Sequence, residues 1–135
     1  MVTIILASHK TLAKGMKETA EYIIGNTEAI RVMTAYETSD YDIEQDTHQL
    51  LLNTDKVLVV TDVIGGSVNS HWMNYVYEHE LADKVTIISG MTLSLVMELC
   101  TNLTNPTIWQ ELPAIIESAQ ASIMNCSVLI KEERK

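Results

Sequence analysis

The sequence predicts an α/β fold, a doubly wound and mainly parallel sheet of five strands in the order 2-1-3-4-5 with helices on both faces. Short β-rich runs at residues 2–7, 29–34, 56–62, 84–89 and 126–131 alternate with longer stretches of helical periodicity, the mark of βαβ units. The first, third and fourth runs are nearly unbroken Val, Ile and Leu, as in strands covered by helices on both sides. A length of 135 residues corresponds to about one domain, and right-handed crossovers leave few arrangements for this alternation. Residues 1–135 are therefore read as a single domain.

The elements follow in order. After the first run, Leu12, Met16, Ala20, Ile23 and Ile24 recur at helical spacing, and Gly25 supplies a stop, so a helix is expected over 11–24. The second run is followed by Ser39-Asp40 as an N-cap and by a helix through Ile43, Leu50 and Leu51, ended by Asn53-Thr54-Asp55. Beyond the third run, Val68, Trp72 and Val76 stand four apart, so a helix starts within or just after Gly65-Gly66-Ser67. Residues 91–101 and 109–124 read as the fourth and fifth helices, the latter entered through Asn105-Pro106. Residues 126–131 read as an edge strand.

Composition narrows the function. Hydrophobic residues at 47% provide a core, but with 5% aromatics and no Phe it must be built from Ile, Leu, Val and Met, leaving little to stack on bases. Nine basic against 18 acidic residues give a net charge of −9, which repels a phosphate backbone and excludes nucleic acid as a partner. Cys100 and Cys126 are too few for a disulfide framework or zinc cluster and read as buried free thiols. The apolar start runs straight into Ser8-His9-Lys10, unlike a signal peptide, and no window approaches the roughly 20 apolar residues of a membrane span. The expectation is a cytoplasmic protein.

In the order 2-1-3-4-5, strands 1 and 3 are neighbours whose following helices lie on opposite faces, so a crevice opens at their C-terminal ends. Ser8-His9-Lys10 lies at one end and Thr61-Asp62 with Gly65-Gly66-Ser67 at the other. A carboxylate that accepts one imidazole N–H fixes the tautomer and frees the other nitrogen as a nucleophile, a role for Asp62 toward His9. The Gly65-Gly66-Ser67 turn lets backbone approach closely, and amides at a helix start with the Ser67 hydroxyl can hold phosphoryl oxygens. Together these point to phosphoryl transfer through phosphohistidine, a reaction that calls for no metal and no cofactor when donor and acceptor are both nitrogens.

The stretch from His9 through Lys10-Thr11-Leu12-Ala13-Lys14-Gly15-Met16-Lys17-Glu18-Thr19-Ala20-Glu21 to Ile23-Ile24-Gly25 resembles the N-terminal signature of the mannose-family enzyme IIA components of the bacterial sugar phosphotransferase system. Thr61-Asp62 with Gly65-Gly66-Ser67 is a second match. Ser89-Gly90-Met91, with Leu93 and Leu95 before Val96-Met97-Glu98, is a third. The resemblance implies that His9 accepts a phosphoryl group from the phosphocarrier HPr and donates it to a histidine of enzyme IIB, which serves sugar uptake through membrane subunits. It implies that Asp62 hydrogen bonds Nδ1 and leaves Nε2 to react, and that Ser67 with the Gly66 and Ser67 amides lines the phosphate pocket. Ser8, Lys10, Thr61 and Met91 are then expected at the rim of the site. It further implies a homodimer in which residues 125–135 form an exchanged, antiparallel last strand and a tail, and a carrier that associates peripherally with the membrane transport complex. Two positions depart from the family: Lys10 stands where a small residue, commonly Gly, follows the histidine, and Val68 where Pro often follows the turn.

Rival readings are weaker on particular residues. A receiver domain would also place an aspartate after strand 3, but it needs an acidic pair after strand 1 for magnesium, where Ala7-Ser8-His9 stands. A histidine phosphatase would want Arg in place of Ser8, and a flavin module would want aromatics. A regulatory phosphocarrier of the same fold, such as the subunit that feeds dihydroxyacetone kinase, keeps the His9 chemistry and changes only the acceptor. His48, His71 and His79 read as surface histidines, Trp72 and Trp109 as core or partner-facing, and Met73 and Met91 as a docking rim.

Overall fold

The computed structural model describes residues 1–25 and 28–133. The chain runs β1 (Val2–His9), α1 (Leu12–Ile24), β2 (Ile30–Ala35), α2 (Ile43–Leu50), β3 (Lys56–Thr61), α3 (Ser67–Glu78), β4 (Val85–Ser89), α4 (Leu93–Cys100), α5 (Ile108–Ala121) and α6 (Ser127–Glu133). The sheet has four strands in the order β2-β1-β3-β4, all parallel.

The unbroken apolar runs are explained by two cores. Alternate residues of a strand point to opposite faces. Ile4 and Leu6 of β1 with Leu58 and Val60 of β3 meet α1, α4 and α5 on one face. Ile5, Ala7, Val57 and Val59 meet Val68, Trp72 and Val76 of α3 on the other, together with Ile43 and Leu50 of α2. Burial of a Leu or Ile side chain stabilises by roughly 1.5–3 kcal/mol, and residues 4–7 of β1 and 57–60 of β3 have no exposed surface. The helices after β1 and β3 thus cover opposite faces, and the crevice lies between them.

Three expectations require correction. The segment 126–131 is not a fifth strand: Ser127–Glu133 is the helix α6. Its backbone bonds are local, the Val128 amide donating to the Asn125 carbonyl at 3.2 Å and the Leu129 amide to the Cys126 carbonyl at 3.1 Å, so its polar groups are satisfied without pairing to the sheet. Residues 134–135 of the expected tail lie outside the described residues. The N-cap of α2 is Asp42, not Ser39-Asp40; its carboxylate accepts from the Gln45 amide at 3.1 Å. The thiols also differ, since Cys126 is exposed and Cys100 only partly buried.

Candidate functional site

The C-terminal ends of β1 and β3 deliver His9 and Asp62 to one point because Ala7 and Thr61 are register partners. The Asp62 Oδ2 accepts from the His9 backbone amide at 2.8 Å and stands 2.7 Å from the ring Nδ1. Its Oδ1 accepts from the Val63 amide at 2.9 Å. Desolvation is the largest influence on this carboxyl and pushes its pKa up, but the bonds from the His9 amide, the His9 ring and Val63 outweigh it and hold it below the usual carboxylate value. Asp62 is thus an anion at neutral pH, and an anion can only accept. The proton on a neutral His9 ring must therefore sit on Nδ1, which leaves the lone pair on Nε2.

That nitrogen stands 3.0 Å from the Ser67 Oγ. The turn between β3 and α3 brings the serine there. Gly65 has φ +76°, a conformation that favours glycine, and its amide donates to Asn69 Oδ1 at 3.1 Å. Buried Asn69 in turn donates to Thr61 Oγ1 at 2.9 Å, so the loop is tied to the strand it leaves. A Cβ on Gly66 would lie 3.2 Å from the Val63 carbonyl oxygen, tighter than an ordinary contact, and 3.5 Å from His9 Cε1, so the turn packs directly against the ring and has little room for a side chain. The Ser67 amide opens the first turn of α3, where an N–H has no intrahelical acceptor. The Gly66 amide, expected to face a phosphate, instead donates to the Val63 carbonyl at 3.1 Å.

Of the expected rim residues only Lys10 is exposed. Ser8 is fully buried, and its Oγ accepts from the Ala13 amide at 2.8 Å, which fixes the start of α1. Thr61 is fully buried under the site and Met91 belongs to the core, so neither lines a rim; Met73 is exposed. Lys10 has φ +53°, a left-handed conformation that explains why a glycine would suit this position, and its Nζ donates to the Tyr36 carbonyl at 2.6 Å. Among the other histidines, His48 and His79 are exposed as expected, but the His71 side chain is only 11% exposed and its Nε2 lies 2.7 Å from Thr47 Oγ1. Trp72 is core and Trp109 only partly buried.

Tyr36 was not among the expected site residues. It follows β2 directly, its hydroxyl donates to Ser67 Oγ at 3.2 Å, and its ring centre is 5.7 Å from that of His9. The signal available in the sequence was adjacency: in a 2-1-3 order the residue after strand 2 emerges beside the residue after strand 1, and His9 does pair with Ala35. With 41% of its side chain exposed, His9 is open to a macromolecular partner while its aspartate is 7% exposed. No helix among the described residues is long and apolar enough to cross a membrane.

Residues 3–116 match the EIIA-man family, described as the PTS system fructose IIA component. A structure from Klebsiella pneumoniae, provisionally described as a phosphoenolpyruvate-dependent sugar phosphotransferase system permease, is 25% identical with a TM-score of 0.83, over 96% of this chain and 93% of that one. A Streptococcus pneumoniae PTS IIA protein associated with the fucose utilization operon is 28% identical with a TM-score of 0.79, over 96% of both chains. The component EIIA of Streptococcus agalactiae, at 23% identity and a TM-score of 0.79 over 95% of this chain and 99% of that one, shares the fold. No curated protein matches.

Proposed function

We propose, from the premise that this chain belongs to the EIIA-man family of sugar phosphotransferase IIA components, that it carries a phosphoryl group on His9 Nε2 between two protein partners. The observation that carries this reading is the Asp62 anion 2.7 Å from Nδ1, which places the proton of a neutral ring on Nδ1 and its lone pair on Nε2 at an open surface. The Nε2 lone pair attacks the phosphorus of a phosphohistidine on HPr, and the donor P–N bond breaks with its electron pair returning to the donor ring. Nδ1 keeps its proton, so the phosphorylated His9 ring is cationic until the group leaves, and the Asp62 carboxylate balances that charge. Ser67 and the first amides of α3 receive the phosphoryl oxygens. The reverse displacement, by a histidine of enzyme IIB, passes the group toward membrane subunits that take up sugar, with this chain on the cytoplasmic side.

A homodimer belongs to the same reading. What supports it is apolar surface at the C-terminus, where Ile123, Met124, Val128, Leu129 and Ile130 are all exposed.

The test is incubation with enzyme I, HPr and labelled phosphoenolpyruvate. Acid-labile label is expected on the wild type and not on His9→Ala; label persisting on that variant overturns the assignment.

A further inference from the structure

Tyr36 and Lys10 share a feature that the phosphocarrier reading does not use. They follow paired strand ends, His9 opposite Ala35, and both are non-glycine residues in the left-handed region, with φ +65° and +53°. That conformation is unfavourable for a residue with a Cβ and persists only where surroundings enforce it. Here the Lys10 amide donates to the Ala35 carbonyl at 2.8 Å and the Lys10 Nζ to the Tyr36 carbonyl at 2.6 Å, so each strained residue holds the other. The Tyr36 ring is also braced edge-on by Tyr41 at 5.7 Å, and the Tyr41 hydroxyl donates to Asp46 at 2.6 Å. A tyrosine side chain fixed from both ends then presents its hydroxyl to Ser67.

We infer that Tyr36 is a positioning residue of the phosphoryl site, orienting the Ser67 hydroxyl through a relay Tyr36 O–H to Ser67 O–H to His9 Nε2. The proposal rests on His9 being the phosphoryl carrier. Direction in the relay follows from counting protons. In the neutral ring with its proton on Nδ1, Nε2 bears a lone pair, so at 3.0 Å the single hydroxyl proton of Ser67 points to it. The Ser67 oxygen is then an acceptor for Tyr36, and accepting one bond makes it a stronger donor of the other. When phosphorus bonds to Nε2, the Ser67 proton must leave the ring and turn to a phosphoryl oxygen. The oxygen can stay where it is while the proton turns, because its bond from Tyr36 is unaffected. Tyr36 contributes no reacting atom, and its effect passes through Ser67 alone.

The experiment compares Tyr36→Phe, Ser67→Ala and the double variant with the wild type. Two readouts are taken: the rate of label transfer from phospho-HPr, and the 15N resonance of His9 Nε2 in the unphosphorylated protein at a pH where the ring is neutral. Phe keeps the ring and its packing, so an unchanged melting temperature is expected. Loss of one hydrogen bond predicts a rate about 5-fold lower in Tyr36→Phe, with a moved Nε2 resonance. In the Ser67→Ala background, Tyr36→Phe is expected to change neither readout further. A wild-type rate together with a wild-type resonance in Tyr36→Phe overturns the inference, as do losses that multiply in the double variant. If the wild type takes no label, the carrier reading fails, and the resonances alone decide whether Tyr36 acts on His9 through Ser67.

Discussion

Replacing Asp62 by Asn removes one charge and leaves the shape nearly unchanged. Two donors of His9, the backbone amide and Nδ1, converge on Oδ2, and the Val63 amide meets Oδ1. An amide has one oxygen, so in either orientation its NH2 faces at least one of these donors. If the NH2 faces Nδ1, the ring turns into the tautomer with its proton on Nε2 and loses the nucleophilic lone pair. Even with the oxygen toward Nδ1, the ring charge that develops on phosphorylation loses its counter-ion. A carboxylate about 4 Å from the ring charge is worth about 4 kcal/mol at an effective dielectric constant of about 20. His9 is 41% exposed, and solvent on that side reduces this by roughly half, to about 2 kcal/mol. The expected result is transfer from phospho-HPr slowed about 30-fold, read as the initial rate of acid-labile label incorporation, with circular dichroism confirming the fold. A folded Asp62→Asn protein that transfers at the wild-type rate refutes the reasoning. The same carboxyl titrates below its ordinary value in the folded chain. Its stabilisation is therefore present above about pH 4 and is lost as pH falls further, so Asp62→Asn should flatten the acid limb of the stability curve.

Further predictions follow from burial and packing. Leu58→Ala, at a fully buried position of β3, is expected to lower unfolding free energy by about 2–5 kcal/mol in urea titration; a change below about 1 kcal/mol would contradict the packing of that core. Gly66→Ala puts a methyl 3.2 Å from the Val63 carbonyl oxygen and 3.5 Å from the His9 ring, so transfer should slow while stability drops by only about 1 kcal/mol. Burial depresses the pKa of His71 against the opposing pull of Glu44, so the folded state favours the neutral ring. Stability should then be full above about pH 6.5 and decline as pH falls below it, a dependence that His71→Gln should reduce in denaturation at pH 7.5 and 5.5. Truncation after Asn125 removes exposed Val128, Leu129 and Ile130 and should shift sedimentation toward monomer; an unchanged dimer would place the contact elsewhere.

Much of the site was legible because its parts are local or lie at strand ends. His9 and Asp62 follow apolar runs whose pattern announces central strands, and the order of such strands sets their ends side by side. The Gly65-Gly66-Ser67 turn carries its own conformational signal. Less legible was which group each amide meets: Gly66 N–H closes the turn onto Val63 instead of facing a phosphate. Ser8 and Thr61 illustrate the same limit, since adjacency to His9 and Asp62 suggested a rim, whereas the sheet is covered on both faces and both side chains are buried.

By itself the sequence determined the layered architecture and singled out His9 as the candidate nucleophile, because both follow from periodicity and from residues near in the chain. Tertiary structure alone decided that Tyr36 reaches Ser67 across 31 positions, and that Lys10 clamps it. It also decided the state of residues 127–133, helical here. A Val- and Ile-containing segment suits a strand only where a free edge is within reach, and whether an edge is free is a property of the whole assembly of strands, which no local pattern encodes.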